Sequence, residues 1–86
     1  MDAVVAAIPG SAERRRVLTG ATLKAAELLA IRQSVLAKLL GISAPQVSRM
    51  AKGSYLLDEK RKEWELAALF VRLYRALDSI TVNSFD

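Results

Sequence analysis

Apolar residues recur three and four positions apart along this chain, and no stretch alternates strictly between apolar and polar for the length of a half-buried strand. Ala, Leu, Lys, Glu and Arg dominate, all good helix formers, so the pattern predicts an all-α fold, a compact bundle of about five helices. The first break is Pro9-Gly10, which sets off residues 1–10 as an N-terminal arm. Ser11 is placed to cap the next helix, with Glu13 in its first turn; that helix, or one starting after Gly20, runs toward Ala30. Leu23, Ala26 or Glu27, Ala30 and Ile31 approximate its apolar stripe.

Residues 33–53 are the most informative and read as helix, tight turn, helix. Gly41 follows a Leu-rich run where a left-handed helix end suits a residue without Cβ. Ser43-Ala44-Pro45-Gln46 has the form of a capping box, and Pro45 in that first turn gives up only an N–H without a helical partner. Ile42 is spaced to pack on Val47 as a hydrophobic staple. Ala37 keeps a small side chain toward the bend, as two closely crossing helices require. On the second helix Val47, Met50 and Ala51 share an inward face, while Pro45, Ser48, Arg49 and Lys52 share an outward one that carries no carboxylate.

Downstream, Asp58 is the expected cap of a last helix whose first turn gathers Glu59, Glu63 and Glu65 at the positive end of the dipole. From Leu66 to Leu77 only Arg72 and Arg75 are charged, so this helix is apolar around most of its circumference and needs cover on more than one side. The expected organisation is an arm over 1–10, a core over 11–57, the apolar helix over 58–79 and a tail over 80–86.

Length and charge narrow what these elements can do. Eighty-six residues make one small domain. Cysteine and histidine are both absent, which removes disulfides, thiolate nucleophiles, Cys/His metal sites and the usual general base. No enzyme, catalytic residue, metal or cofactor is expected. The apolar start is too short for a signal peptide or a membrane span and carries Asp2 where a signal has positive charge, so the expectation is a soluble cytoplasmic protein. The net charge of +4 is uneven. Residues 1–57 hold eight Lys/Arg against three acids and residues 58–86 hold five against six, which points an anion-binding surface to the first two thirds. The Arg14-Arg15-Arg16 run reads first as a solvated helix face, with phosphate contact the minority reading.

Over roughly residues 22–57 the sequence resembles the helix-turn-helix of the Xre and phage-repressor family. The residues that carry the likeness are Gln33, Leu36-Ala37, Leu40-Gly41-Ile42-Ser43, Val47-Ser48 and Gly53; Arg32 departs from it, standing where the family usually has a Ser or Thr cap. The run from Lys62 to Asp78, with Glu-Trp-Glu-Leu-Ala-Ala-Leu and Val-Arg-Leu-Tyr-Arg-Ala-Leu-Asp, is similar to a narrower group, the Xre/MbcA/ParS-type antitoxins. That resemblance implies operator DNA as one partner and, through the region from 58 onward, a RES-domain toxin as another. Since members of the group continue well past this helix, it also implies that most of the toxin-binding region is missing here.

The resemblance further implies that the helix over 44–52 enters the DNA major groove while Gln33 and the helix ends hold phosphates. The DNA-binding candidates are Gln33, Ser43, Ala44, Pro45, Gln46, Ser48, Arg49, Lys52 and Arg32. Arg49 is the choice for base readout because its fork matches guanine, and Lys52 for phosphate. Trp64, Leu66, Leu69, Phe70, Leu73, Tyr74 and Leu77 are candidates for a homodimer or toxin interface, with Trp64 read first as a core anchor. Two alternatives stay open: a phage-type or housekeeping repressor without a toxin, and a protein-interaction module whose helix-turn-helix is only a scaffold.

Overall fold

The computed structural model describes residues 11–84, in which four helices follow one another: α1 Ser11–Leu28, α2 Gln33–Leu40, α3 Ala44–Lys52 and α4 Lys62–Ser84. The described residues hold no strand, and the class is all-α as expected; the count is four helices there rather than about five. The arm over 1–10 lies outside the described residues.

Helix α1 passes through Gly20 unbroken, because Gly20 faces open space and nothing there demands a turn. Ser11 does not act as the cap the sequence suggested: it is already helical, and its hydroxyl bonds Glu59 instead. The helix stops at Leu28, short of the expected Ala30. Ala30 turns left-handed at φ 58°, its N–H reaching Glu27 O and that of Ile31 reaching Ala26 O. The same pair of bonds ends α2 at Gly41 and α3 at Gly53, so three helices share one terminating geometry and only the first uses a residue with a Cβ.

The core is Ala26, Leu36, Ala37, Leu40, Val47, Met50, Leu57 and Ala67, ringed by half-buried Leu18, Leu23, Ile31, Ile42, Trp64, Leu66 and Phe70. Ala37 and Ala67 are small enough to let α2 and α4 approach the centre, while Leu36, Leu40 and Val47 fill it. Leu57, fully buried in the connection between α3 and α4, is locked by its N–H donating to Thr19 Oγ1 at 2.9 Å. Thr22, fully buried one turn on from Thr19, satisfies its hydroxyl within the helix by donating to Leu18 O at 2.8 Å.

The arginine run ties α1 to that connection. Arg15 donates to the carbonyls of Leu57 at 2.8 Å and Leu56 at 3.1 Å, Arg14 pairs with Glu59 at 2.8 Å, and Arg16 pairs with Glu13 within its own helix. The Ser11 hydroxyl and the Arg14 guanidinium together hold the Glu59 carboxyl below its ordinary range. Glu59, just ahead of α4, thus sits by the start of α1, while Leu28 and Leu29 at the far end of α1 share a cleft with Tyr74 and Leu77. The two long helices therefore run in the same direction.

Asp58 is not the cap of α4. Its side chain accepts from Lys60 N at 2.9 Å in a turn that precedes the helix, and α4 begins four residues later. At its other end α4 continues through Ser84, so residues 80–84, expected as tail, extend the helix.

Candidate nucleic-acid interface

Helices α2 and α3 with the turn between them form the helix-turn-helix. At the turn Gly41 takes φ 72°, and an added Cβ would meet nothing closer than Leu66 Cδ1 at 3.7 Å; the backbone conformation, not crowding, favours glycine. Ser43 then caps α3 in extended conformation. Gln46 N donates to Ser43 Oγ at 3.2 Å, and Ser43 N donates to Gln46 Oε1 at 3.2 Å, completing the reciprocal box. Gln46 thereby spends its carbonyl on the turn. The N-cap of α2 is Arg32, which has no side-chain capping bond, so its guanidinium is left to solvent.

Val47 and Met50 anchor α3 in the core. Ala51, read as inward, is exposed: only Val47 and Met50 of α3 are buried. Ser43, Ala44, Pro45, Arg49 and Lys52 lie exposed, Gln46 and Ser48 are half-buried, and Arg32 and Gln33 are exposed at the start of α2. No acid lies on α3, so nothing on this helix would repel a phosphate. Ser54 accompanies the helix end, its N–H and hydroxyl both donating to Arg49 O. The backbone under Arg49 is thus fixed while its side chain projects outward.

Two basic residues join this surface that the charge balance had hidden. Arg61, in the turn before α4, and Lys62, the first residue of α4, line a cleft with Gly41, Ile42 and Gln46, beside the first turn of α3. Arg61 is held from behind by Asp58 at 3.6 Å. The Lys60-Arg61-Lys62 triplet was visible in the sequence, but its segment summed to a net negative charge. Position along the chain concealed proximity in space.

The connection that brings them there is built on Glu63, a carboxylate only 4% exposed. Its Oε2 accepts from the Tyr55 hydroxyl at 2.5 Å and from Asp58 N at 3.0 Å. Burial, then the bond to Glu63 and the carboxylate's charge, pushes the Tyr55 phenol up to about 12. Glu63 was expected as one of several first-turn acids; only the fold singles it out as a clamp.

The seven interface candidates on α4 divide by direction. Trp64, Leu66 and Phe70 pack on the core, and Tyr74 is half-buried. Leu69, Leu73 and Leu77 stay about half exposed or more, at four-residue spacing on one flank.

The model of the antitoxin Xre-like helix-turn-helix domain matches residues 9–72. The chain belongs to that family. It is a helix-turn-helix domain of the DNA-binding antitoxin class, and its match takes in α1, α2, α3 and the first half of α4. No curated protein and no solved structure matches the chain. No described helix is long and apolar enough to cross a membrane.

Proposed function

We propose that this domain represses the operon encoding it by binding operator DNA as a homodimer, and that it serves an antitoxin whose partner is a RES-type toxin. The observation that carries the DNA reading is the exposed, carboxylate-free face of α3, with Pro45, Arg49 and Lys52 outward on a helix whose cap and end are both fully satisfied. In this reading Arg49 reads a base edge, with Ala44 and Ser48 beside it in the major groove. Arg32, Gln33, Ser43 and Lys52 contact phosphates, joined across the turn by Arg61 and Lys62, and counterion release supplies most of the affinity.

The exposed stripe of Leu69, Leu73 and Leu77 supports the dimer: it is apolar, and a second copy would cover it. Two recognition helices related by a two-fold axis would meet half-sites about 34–36 Å apart. The toxin partner rests on the family and on the likeness of α4 to the narrower antitoxin group.

Titration of the chain onto DNA from upstream of its own gene, against a scrambled duplex and across a salt series, tests the reading. Preference for the upstream DNA with steep loss of affinity at higher salt is the expected result. Equal and feeble binding to both duplexes would favour an interaction module with a helix-turn-helix scaffold. A toxin-free genetic neighbourhood would leave the repressor and remove the antitoxin role.

A further inference from the structure

The flank of α4 opposite the leucine stripe carries a different surface. Between the parallel helices α1 and α4 runs an open groove of about 370 Å³, its floor and walls made by Val17, Leu18 and Ala21 of α1 and Trp64, Ala68 and Val71 of α4. It follows about two turns of α1, roughly 10 Å, and somewhat more of α4. Val17 is 61% exposed although its neighbours are apolar. None of the lining residues belongs to α2 or α3, so the groove is separate from the helix-turn-helix.

Among the described residues, every charged side chain lining this groove is an arginine: Arg14, Arg72 and Arg75. Glu59 answers Arg14. Arg72 and Arg75 make no ion pair among the described residues, although Glu65 and Asp78 stand within reach by sequence spacing. Both guanidiniums are exposed and one helical turn apart, so they present two like charges at one edge of an apolar trough. A second copy seated here about a two-fold axis would set arginines against arginines, which disfavours self-association on this face. The complement is apolar along its middle and anionic along one edge, and long rather than compact.

We infer that this groove docks an acidic amphipathic helix of a partner protein, its apolar side against Val17 and Trp64 and two carboxylates on Arg72 and Arg75. The inference rests on the toxin-partner reading above and gives that partner a surface that leaves α3 free, so one chain can hold DNA and partner together.

Trp64 is the sole tryptophan, so the chain grown with 5-fluorotryptophan has one fluorine resonance, located in the groove. The probe is the purified protein encoded by the neighbouring toxin gene, with affinity measured by calorimetry in parallel. On titration the resonance should shift and saturate. Val17→Glu, and separately Arg72→Glu with Arg75→Glu, should each weaken binding about tenfold or more. Both variants should keep the parent's operator affinity and helical circular dichroism, which shows that they fold. Partner binding with an unmoved resonance and unchanged affinity in both variants would overturn the groove proposal and leave the toxin reading standing. No binding of the parent chain by calorimetry would overturn the groove proposal, whereas the toxin reading falls only if no toxin gene neighbours this one.

Discussion

The Tyr55 hydroxyl donates to Glu63 Oε2 at 2.5 Å, and the same oxygen accepts from Asp58 N, so one buried carboxylate closes the connection between α3 and α4 on both sides. Tyr55→Phe removes one of these donors and leaves the carboxylate buried. The expected loss is about 1–3 kcal/mol, read from urea midpoints.

The same contact sets a pH dependence on the alkaline side. The phenol titrates near 10 in the unfolded chain and at about 12 in the folded one. The folded state therefore favours the neutral phenol, and the stability this contributes is complete below pH 10 and lost as pH rises toward 12. Stability of the parent should fall more steeply across that window than that of Tyr55→Phe. Matching slopes would show that the phenol is not the titrating group.

Ala30 and Gly41 occupy equivalent left-handed positions, at φ 58° and 72°. Ala30→Gly should stabilise the protein and Gly41→Ala destabilise it, each by about 1 kcal/mol, since only the residue with a Cβ is strained there. Thermal melts should move in opposite directions.

Arg15 is expected to behave as a structural residue despite its charge. Its removal strands the carbonyls of Leu56 and Leu57, and Arg15→Ala should cost about 1–3 kcal/mol. The salt dependence of DNA binding, measured well below the melting temperature, should stay as in the parent. Lys62→Ala should do the reverse, lowering the salt slope by about one unit with little change in stability.

Arg49→Ala should cost about 1–3 kcal/mol of operator affinity and relax preference at one base pair, with the melting temperature unchanged. Equal loss on operator and scrambled DNA would reassign Arg49 from base to phosphate.

Much of this was legible in the chain itself, and for a local reason. The α2–turn–α3 unit depends on residues within a few positions of one another: Gly41 ending a helix, Ser43 and Gln46 bonding reciprocally, Pro45 without an N–H to lose. Such rules act through backbone geometry and survive without knowledge of the rest of the molecule. The all-α class followed in the same way from spacing and propensity.

Tertiary structure decided what those residues meet. Arg14 and Arg15 are spent on the connection ahead of α4, more than 40 residues away, and Glu63 becomes a buried clamp while its neighbour Glu65 remains exposed. Arg61 and Lys62 reach the start of α3 from a segment whose net charge is negative. The apolar circumference of α4 announced that it needed cover; only packing shows that the core takes Ala67 and Phe70, α1 borders a groove at Ala68 and Val71, and Leu69, Leu73 and Leu77 are left outside. Local hydrogen bonding and propensity are encoded over a single turn, whereas burial and ion pairing depend on which segments the collapsed chain brings together.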